Sequence, residues 1–181
     1  MKKILTYTGK LIDVKKPMSW DICIEDIAHA LSLQNRFNGV TKYPYSVAQH
    51  CVNVAYICGG DEMLNGLMHD ASEAYIRDLP VPVKDALPDY RKLEAKWTKV
   101  IDSRWYLNTT NEIVNCSDKI ALTYEVTELV LHPELVIPNL DNVFTPDMSC
   151  FPHLNFRQMT PKRAEHNFLQ LFNHLYYKDC K

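Results

Sequence analysis

The chain has 181 residues, of which 46% are hydrophobic and 23% charged, with a formal net charge of −2. That composition suits a folded domain with a sizeable core and excludes a disordered or fibrous chain. There is no basic excess to mark a nucleic-acid polymer as partner, and no apolar run approaches the ~20 residues of a membrane span.

Six cysteines stand at 23, 51, 58, 116, 150 and 180, without a C-x-x-C pair. In a chain large enough to do without disulfides they read as free thiols of a reducing compartment. Met1 to Lys10 lacks the apolar centre of a signal peptide. A cytoplasmic protein with one domain over residues 1–181 is expected.

Residues 4–14 contain two short β-prone runs around Thr8-Gly9, which predicts a small hairpin. Ile24, Ile27, Ala28 and Leu31 recur at helical spacing, with Glu25 and Asp26 in the first turn, so 24–35 is a helix. Residues 36–45, with Asn38-Gly39 and Pro44, read as a loop. Ser46 is a good N-cap for a helix from Val47 to Cys58, which stops at Gly59-Gly60. Its apolar stripe has His50 at the edge.

Asp61 caps a helix expected to run to about Arg77, after which Pro80 and Pro82 predict a loop over 78–84. Leu93, Trp97, Val100, Ile101 and Trp105 share one side of a helix over 89–105. A longer helix over 111–131, capped by Thr110 or Asn111, turns Val114, Asp118, Ala121, Leu122, Glu125 and Leu129 inward. Residues 132–159 have four prolines and no clear period, a length that suggests a functional or interface role. Thr160-Pro161 opens a last helix to about Tyr177. The expected fold is mostly α, a helical bundle with a small N-terminal β-hairpin.

The chemistry concentrates in Gly66-Leu67-Met68-His69-Asp70-Ala71-Ser72-Glu73-Ala74-Tyr75. A His-Asp pair among apolar and small residues is costly to bury unless it is paired or bound to metal. His50, His69, Asp70 and Asp118 are candidate ligands for one ion, drawn from three helices in the manner of metal sites inside bundles. Taken singly, each has a plainer reading as a hydrogen-bonded or surface residue. Together they form a mixed N/O set that suits a divalent transition metal: Co²⁺, Mn²⁺, Zn²⁺, Fe²⁺ or Ni²⁺, with Mg²⁺ a further option. Glu73 follows His69 by four residues and Asp70 by three, on the same helical face, where a carboxylate would address a metal-activated water. Glu125 and Glu128 face either the site or solvent. Trp20 reads as a core residue or a base-pocket wall, with the core preferred.

The order His50, His69-Asp70, Asp118 resembles the HD-domain phosphohydrolase superfamily. Tyr45-Ser46-Val47-Ala48-Gln49-His50 resembles the first-histidine helix of the branch that holds 5′-deoxynucleotidases and phage dATP triphosphohydrolases. His69 through Lys84 resembles that branch's H-D-x-x-E-x-x-x-x-D-[LI]-P-x-P-x-K signature, and Asn35-Arg36-Phe37 its Arg-aromatic pair. The likeness covers roughly residues 20–130.

The resemblance implies an HD-type bundle in which His50, His69, Asp70 and Asp118 hold the metal. It implies Glu73 and Asp78 as catalytic carboxylates, and Arg36, Phe37 and Lys84 as substrate-binding residues. It implies hydrolysis of the 5′ phosphate ester of a small deoxynucleotide. The first expectation is a dNTP, dATP-favouring triphosphohydrolase releasing deoxynucleoside and triphosphate. A 5′-deoxynucleotidase acting on dNMPs and a non-catalytic nucleotide or metal sensor are the alternatives. Phe37 stands where the deoxynucleotidases typically carry Trp. Similar proteins are homo-oligomers, and if phage-encoded this one would work in the host cytoplasm.

Overall fold

Ser46 ends an extended stretch and starts the helix on which the rest of the fold is built. In the computed structural model, which describes residues 3–136 and 146–177, this helix, α2, spans Val47–Cys58. Its start is a capping box: Ser46 Oγ accepts from Gln49 N at 3.2 Å, and Gln49 Oε1 accepts from Ser46 N at 3.3 Å. Its end is Gly59, whose φ of 63° only a glycine adopts without cost. Nine of its residues are buried, His50 among them, because α2 packs against helices on several sides.

The hairpin pairs β1 (Lys3–Leu5) with β2 (Leu11–Asp13) in antiparallel register, Ile4 opposite Ile12. Ile12 joins the main core. The turn is pinned from outside. Buried Asp26 accepts Thr8 N at 2.6 Å and Thr8 Oγ1 at 3.0 Å, and as a first-turn residue of α1 (Ile24–Ser32) it also meets the positive end of the helix dipole.

The stretch from Asp61 to Arg77 departs from the single helix that its periodicity predicts. A 3₁₀ turn over Gly60–Glu62 leads into α3 (Met63–Met68), and four turn residues separate it from α4 (Glu73–Ile76). Ala71 N, Glu73 N and Ala74 N bond to carbonyls three residues back rather than four. The coil is thus tightened where His69 and Asp70 sit. This is the geometry short 3₁₀ pieces provide at functional positions. Arg77, at φ 76°, ends α4.

The expected loop over 78–84 is corrected too. Val81–Ala86 is a short helix, α5, and Lys84 lies on it. Pro82 falls in the first turn, where its missing N–H costs no intrahelical bond. Next come α6 (Pro88–Trp105) and α7 (Glu112–Leu129), the latter capped by Asn111 Oδ1 on Val114 N at 3.0 Å. The last described helices are α8 (Pro133–Val136) and α9 (Pro161–Tyr176).

Most of the apolar core lies between α1, α2, α3, α6 and α9, with Trp97, Phe168 and Phe172 as its bulk. A second cluster of Tyr45, Tyr124, Leu129 and Phe156 closes the side of α2 that faces α7. The mostly α reading with a small hairpin holds. No helix among the described residues is long and apolar enough to cross a membrane.

One further expectation changes. Trp20 is 68% exposed rather than core, while its neighbour Ile22 fills the core position. Part of the irregular 132–159 stretch covers the protein's own core: Phe156 is buried and Asn155 N donates to Asn53 Oδ1 at 3.0 Å. Residues 137–145 of that stretch lie outside the described residues.

Candidate metal centre

Three elements aim donor atoms at one point. His50 comes from α2, His69 and Asp70 from the tightened turn after α3, and Asp118 from the second turn of α7. His50 Nε2 lies 3.2 Å from His69 Nε2, 3.4 Å from Asp70 Oδ2 and 3.1 Å from Asp118 Oδ1. His69 Nε2 lies 3.2 Å from Asp70 Oδ2 and 3.8 Å from Asp118 Oδ1. Ligands about 2.1 Å from a common ion stand roughly 3 Å apart when at right angles, so this spacing fits first-row metal coordination. The His50, His69 and Asp118 group could hold a metal ion. A second grouping, Cys51 with His69 and Asp70, offers a softer donor.

The imidazole orientation supports the same role. His69 Nδ1 donates to the carbonyl of Gly66 at 2.8 Å, and His50 Nδ1 to Glu125 Oε1 at 2.7 Å. A carbonyl and a carboxylate only accept, so both Nδ1 atoms carry the proton. In their neutral forms both rings present an Nε2 lone pair to the same point. Two lone pairs 3.2 Å apart repel unless a proton or a cation sits between them. Partners that fix the far nitrogen in this way are what metal-bound histidines usually have.

Charge tells the same story. Asp70, Glu73, Asp78, Asp118 and Glu125 gather around Arg36 and Lys84 as the permanent cations. Burial opposes charge on His50 and His69, yet the surrounding carboxylates raise both well above the usual histidine range. Burial likewise opposes the carboxylates. Even so, the histidines hold Asp70 well below its ordinary value, and the bond to His50 brings Asp118 to about 2. A centre that attracts protons this strongly attracts a dication for the same reason.

Glu125 is the residue that sequence left open. It is fully buried and central: Oε1 takes His50 Nδ1 and Tyr45 Oη (2.9 Å), while Oε2 takes Arg36 Nε at 3.1 Å. Arg36 and His50 keep it ionised despite burial. Its signal was available, since it follows Asp118 by two helical turns on one face. Glu128 is exposed. Tyr45 as a partner of Glu125 had no signal beyond its place before Ser46.

The proposed substrate cations are not free. Arg36 bridges Glu125 and Asp70, with Nη1 3.5 Å from Asp70 Oδ2, and its guanidinium stands 5.4 Å from the Phe37 ring centroid. Phe37 and Asn38 both have φ 53°, a left-handed pair that costs a non-glycine residue roughly 1–2 kcal/mol. Lys84 Nζ bonds Glu73 Oε1 at 3.1 Å and Glu94 Oε1 at 2.7 Å.

Glu73 is buried, and its Oε2 has no hydrogen-bond partner among the described residues. Burial, then the charges of Asp70 and Asp78, push its carboxyl up to about 8, against the pull of Lys84 and Arg36. Gln34 ties this corner together by donating to Glu73 O at 3.0 Å and accepting Asp78 N at 3.2 Å. The Asp78 carboxyl makes no hydrogen bond to the ligand cluster among the described residues. Burial raises it, and Arg36 pulls it back.

No protein-family model matches the chain. Over 176 residues, 97% of this chain and 96% of the relative, it is 35% identical to the uncharacterized protein YfdR of Escherichia coli K12. It is also 36% identical, over 110 residues, to the uncharacterized protein RCAP_rcc00048 of Rhodobacter capsulatus, covering 55% of this chain and 56% of that one. An identity of this level along nearly the whole of both chains means that this protein belongs to the same family as YfdR.

Proposed function

We propose that this protein is an HD-type, metal-dependent phosphohydrolase that cleaves the 5′ phosphate ester of a small deoxynucleotide. The observation that carries this reading is the convergence of two Nε2 atoms and two carboxylates on one point, with a buried carboxyl of raised proton affinity close by in the chain. A divalent ion held by His50, His69, Asp70 and Asp118 would supply Lewis acidity, making a water acidic and polarising a phosphoryl oxygen.

The chain's own residues supply the rest. Glu73, raised toward neutrality, takes the proton of the attacking water, and Lys84 stabilises the ionised form on which that step depends. Water adds to phosphorus, the P–O5′ bond breaks, and O5′ leaves as the nucleoside hydroxyl. Its proton comes from Asp78, whose burial keeps it more easily protonated than an ordinary aspartate. Arg36, beside Asp70, offers a planar fork to a phosphate oxygen. The ring of Phe37 next to it is suited to stacking on a base or closing against a deoxyribose.

The same geometry favours a monophosphate over a triphosphate. Arg36 and Lys84 already meet carboxylates, and Lys42 Nζ is engaged by Glu128 O at 2.8 Å. Few cations remain for two further phosphates. The dNTP triphosphohydrolase is the second reading, with Lys119 as its additional cation. Incubation of the Mn²⁺- or Co²⁺-loaded protein with dNMPs and dNTPs decides between them. Release of inorganic phosphate from dNMPs is expected, and triphosphate release from dNTPs would select the second reading. No cleavage of any nucleotide under any metal would leave a binding or sensing role and overturn the enzyme.

A further inference from the structure

On the side of α2 away from the metal centre lies a cavity of about 500 Å³ that none of the metal ligands lines. It is bounded by α2, by α9 and by the segment around His153 and Asn155, and it opens to solvent on one side, where His153, Asn155 and Gln170 are exposed. Its volume falls in the range of small-molecule sites, about 300–1,000 Å³. Its chemistry is specific in two ways. Five lining residues are amides: Gln49, Asn53, Asn155, Asn167 and Gln170. Among the described residues neither a lysine or arginine nor a carboxylate lines it, so apart from imidazoles that lining is uncharged.

The amides divide by role. Gln49 and Asn53 are fixed: Gln49 Nε2 donates to Arg157 O at 3.1 Å, and Asn53 Nδ2 to Tyr45 Oη at 2.9 Å and Asn155 O at 3.2 Å. Gln170, by contrast, makes no hydrogen bond to the described residues, and Asn167 only a long contact of 3.5 Å from Nδ2 to Met159 Sδ. Beside them Tyr56 and His153 stand with ring centroids 5.1 Å apart, tilted by 33°. A rigid wall, free amide edges and an aromatic face together match a flat ring that carries adjacent donors and acceptors. Asn and Gln side chains pair in this way with base edges, and aromatic rings provide the stacking face.

We propose that the α2–α9 cavity is a second binding site, separate from the metal centre, for an uncharged heteroaromatic ring of the nucleobase type, as a nucleoside or a free base. Among the described residues no lysine or arginine lines it, which argues against a phosphorylated ligand there. The site does not depend on the metal centre being catalytic.

The test is calorimetric titration of the metal-loaded protein with deoxyadenosine, deoxyguanosine, deoxycytidine, thymidine and the free bases, with deoxyribose as control. Saturable binding that persists in Asp118→Ala and weakens tenfold or more in Asn167→Ala/Gln170→Ala is expected. Amide side-chain shifts of Asn167 and Gln170 in ¹⁵N spectra should accompany it, with the melting temperature of the double variant unchanged. Binding lost in Asp118→Ala but kept in the double variant would assign the ligand to the metal centre and overturn the proposal. So would equal binding of deoxyribose, or no binding of the panel at millimolar concentration.

Discussion

His50 gives its Nδ1 proton to Glu125 across 2.7 Å, and both residues are fully buried. That bond decides which nitrogen of His50 faces the ligand cluster. The same carboxylate neutralises Arg36, so one side chain orients a ligand and anchors a cation. Replacing Glu125 by Gln keeps the shape but removes the charge. Metal affinity should fall about 10–100-fold, the usual cost of losing such a partner. Stability should fall by a few kcal/mol, because Arg36 keeps its burial and loses the nearer of its two counter-charges. Competition titration with a chromogenic chelator reads the first effect and denaturant melts the second; unchanged metal affinity would show that His50 is held by something else.

The metal should stabilise the fold in a pH-dependent way. In chelator-treated protein the raised histidines bind a proton more tightly folded than unfolded. Their contribution is full below about 6.5 and is lost as pH rises through their folded values. Metal binding runs in the opposite sense, since the proton must leave first. The melting-temperature gap between loaded and metal-free protein should therefore widen from pH 6 to pH 8. On the acid side Asp118, lowered to about 2 from 3.8, contributes stability above pH 4 that disappears as pH falls toward 2. A gap that does not change with pH would mean the imidazoles are not ligands.

Glu73 carries the opposite sign to Asp118. Its carboxyl is raised from 4.5 to about 8, so the folded state prefers it protonated. Its favourable contribution is complete below about 4.5 and declines as pH climbs toward 8. Each tenfold gain in proton affinity is worth about 1.4 kcal/mol, which puts the effect on the order of a few kcal/mol. Glu73→Gln cannot ionise, so in metal-free protein its melting temperature should gain on the native protein as pH rises from 5 to 8. Lys84 keeps Glu94 at 2.7 Å as partner in the variant. The same substitution should retain metal and lose most turnover. Parallel pH profiles for variant and native protein would place an ionised Glu73 in the folded state throughout.

Much of this centre was legible as residue type and spacing. His50 and Asp118 face the cluster as their helical positions imply, because a periodic pattern reports which face of a helix turns inward, and His69 and Asp70 join them from the turn after α3. Periodicity missed the break between α3 and α4, since every residue from 69 to 72 is compatible with a helix and only the bonding shortens. It also missed α5: Pro80 and Pro82 read as breakers when one of them serves a helix start. Arg36 and Lys84 were visible as cations but not as paired ones, because their partners Glu125 and Glu94 lie 89 and 10 residues away. Trp20 shows the limit of inferring burial from size alone.

Gly66 sits in the contact between α3 and α2. A Cβ added there would lie 2.6 Å from Cys58 Sγ and 3.1 Å from Ala55 Cα, the second being backbone of α2 that cannot rotate away. Gly66→Ala therefore has to push α3 from α2. The Gly66 carbonyl is also what fixes His69 Nδ1, so the displacement passes directly to a candidate metal ligand. A loss of about 1–3 kcal/mol is expected, as for other insertions into packed interiors, together with weaker metal binding. Cys58→Ala added to Gly66→Ala removes the nearer obstruction and leaves the backbone one. Partial recovery of both stability and metal affinity should follow. If Gly66→Ala melts like the native protein and binds metal equally well, the approach of α3 to α2 does not set the position of His69.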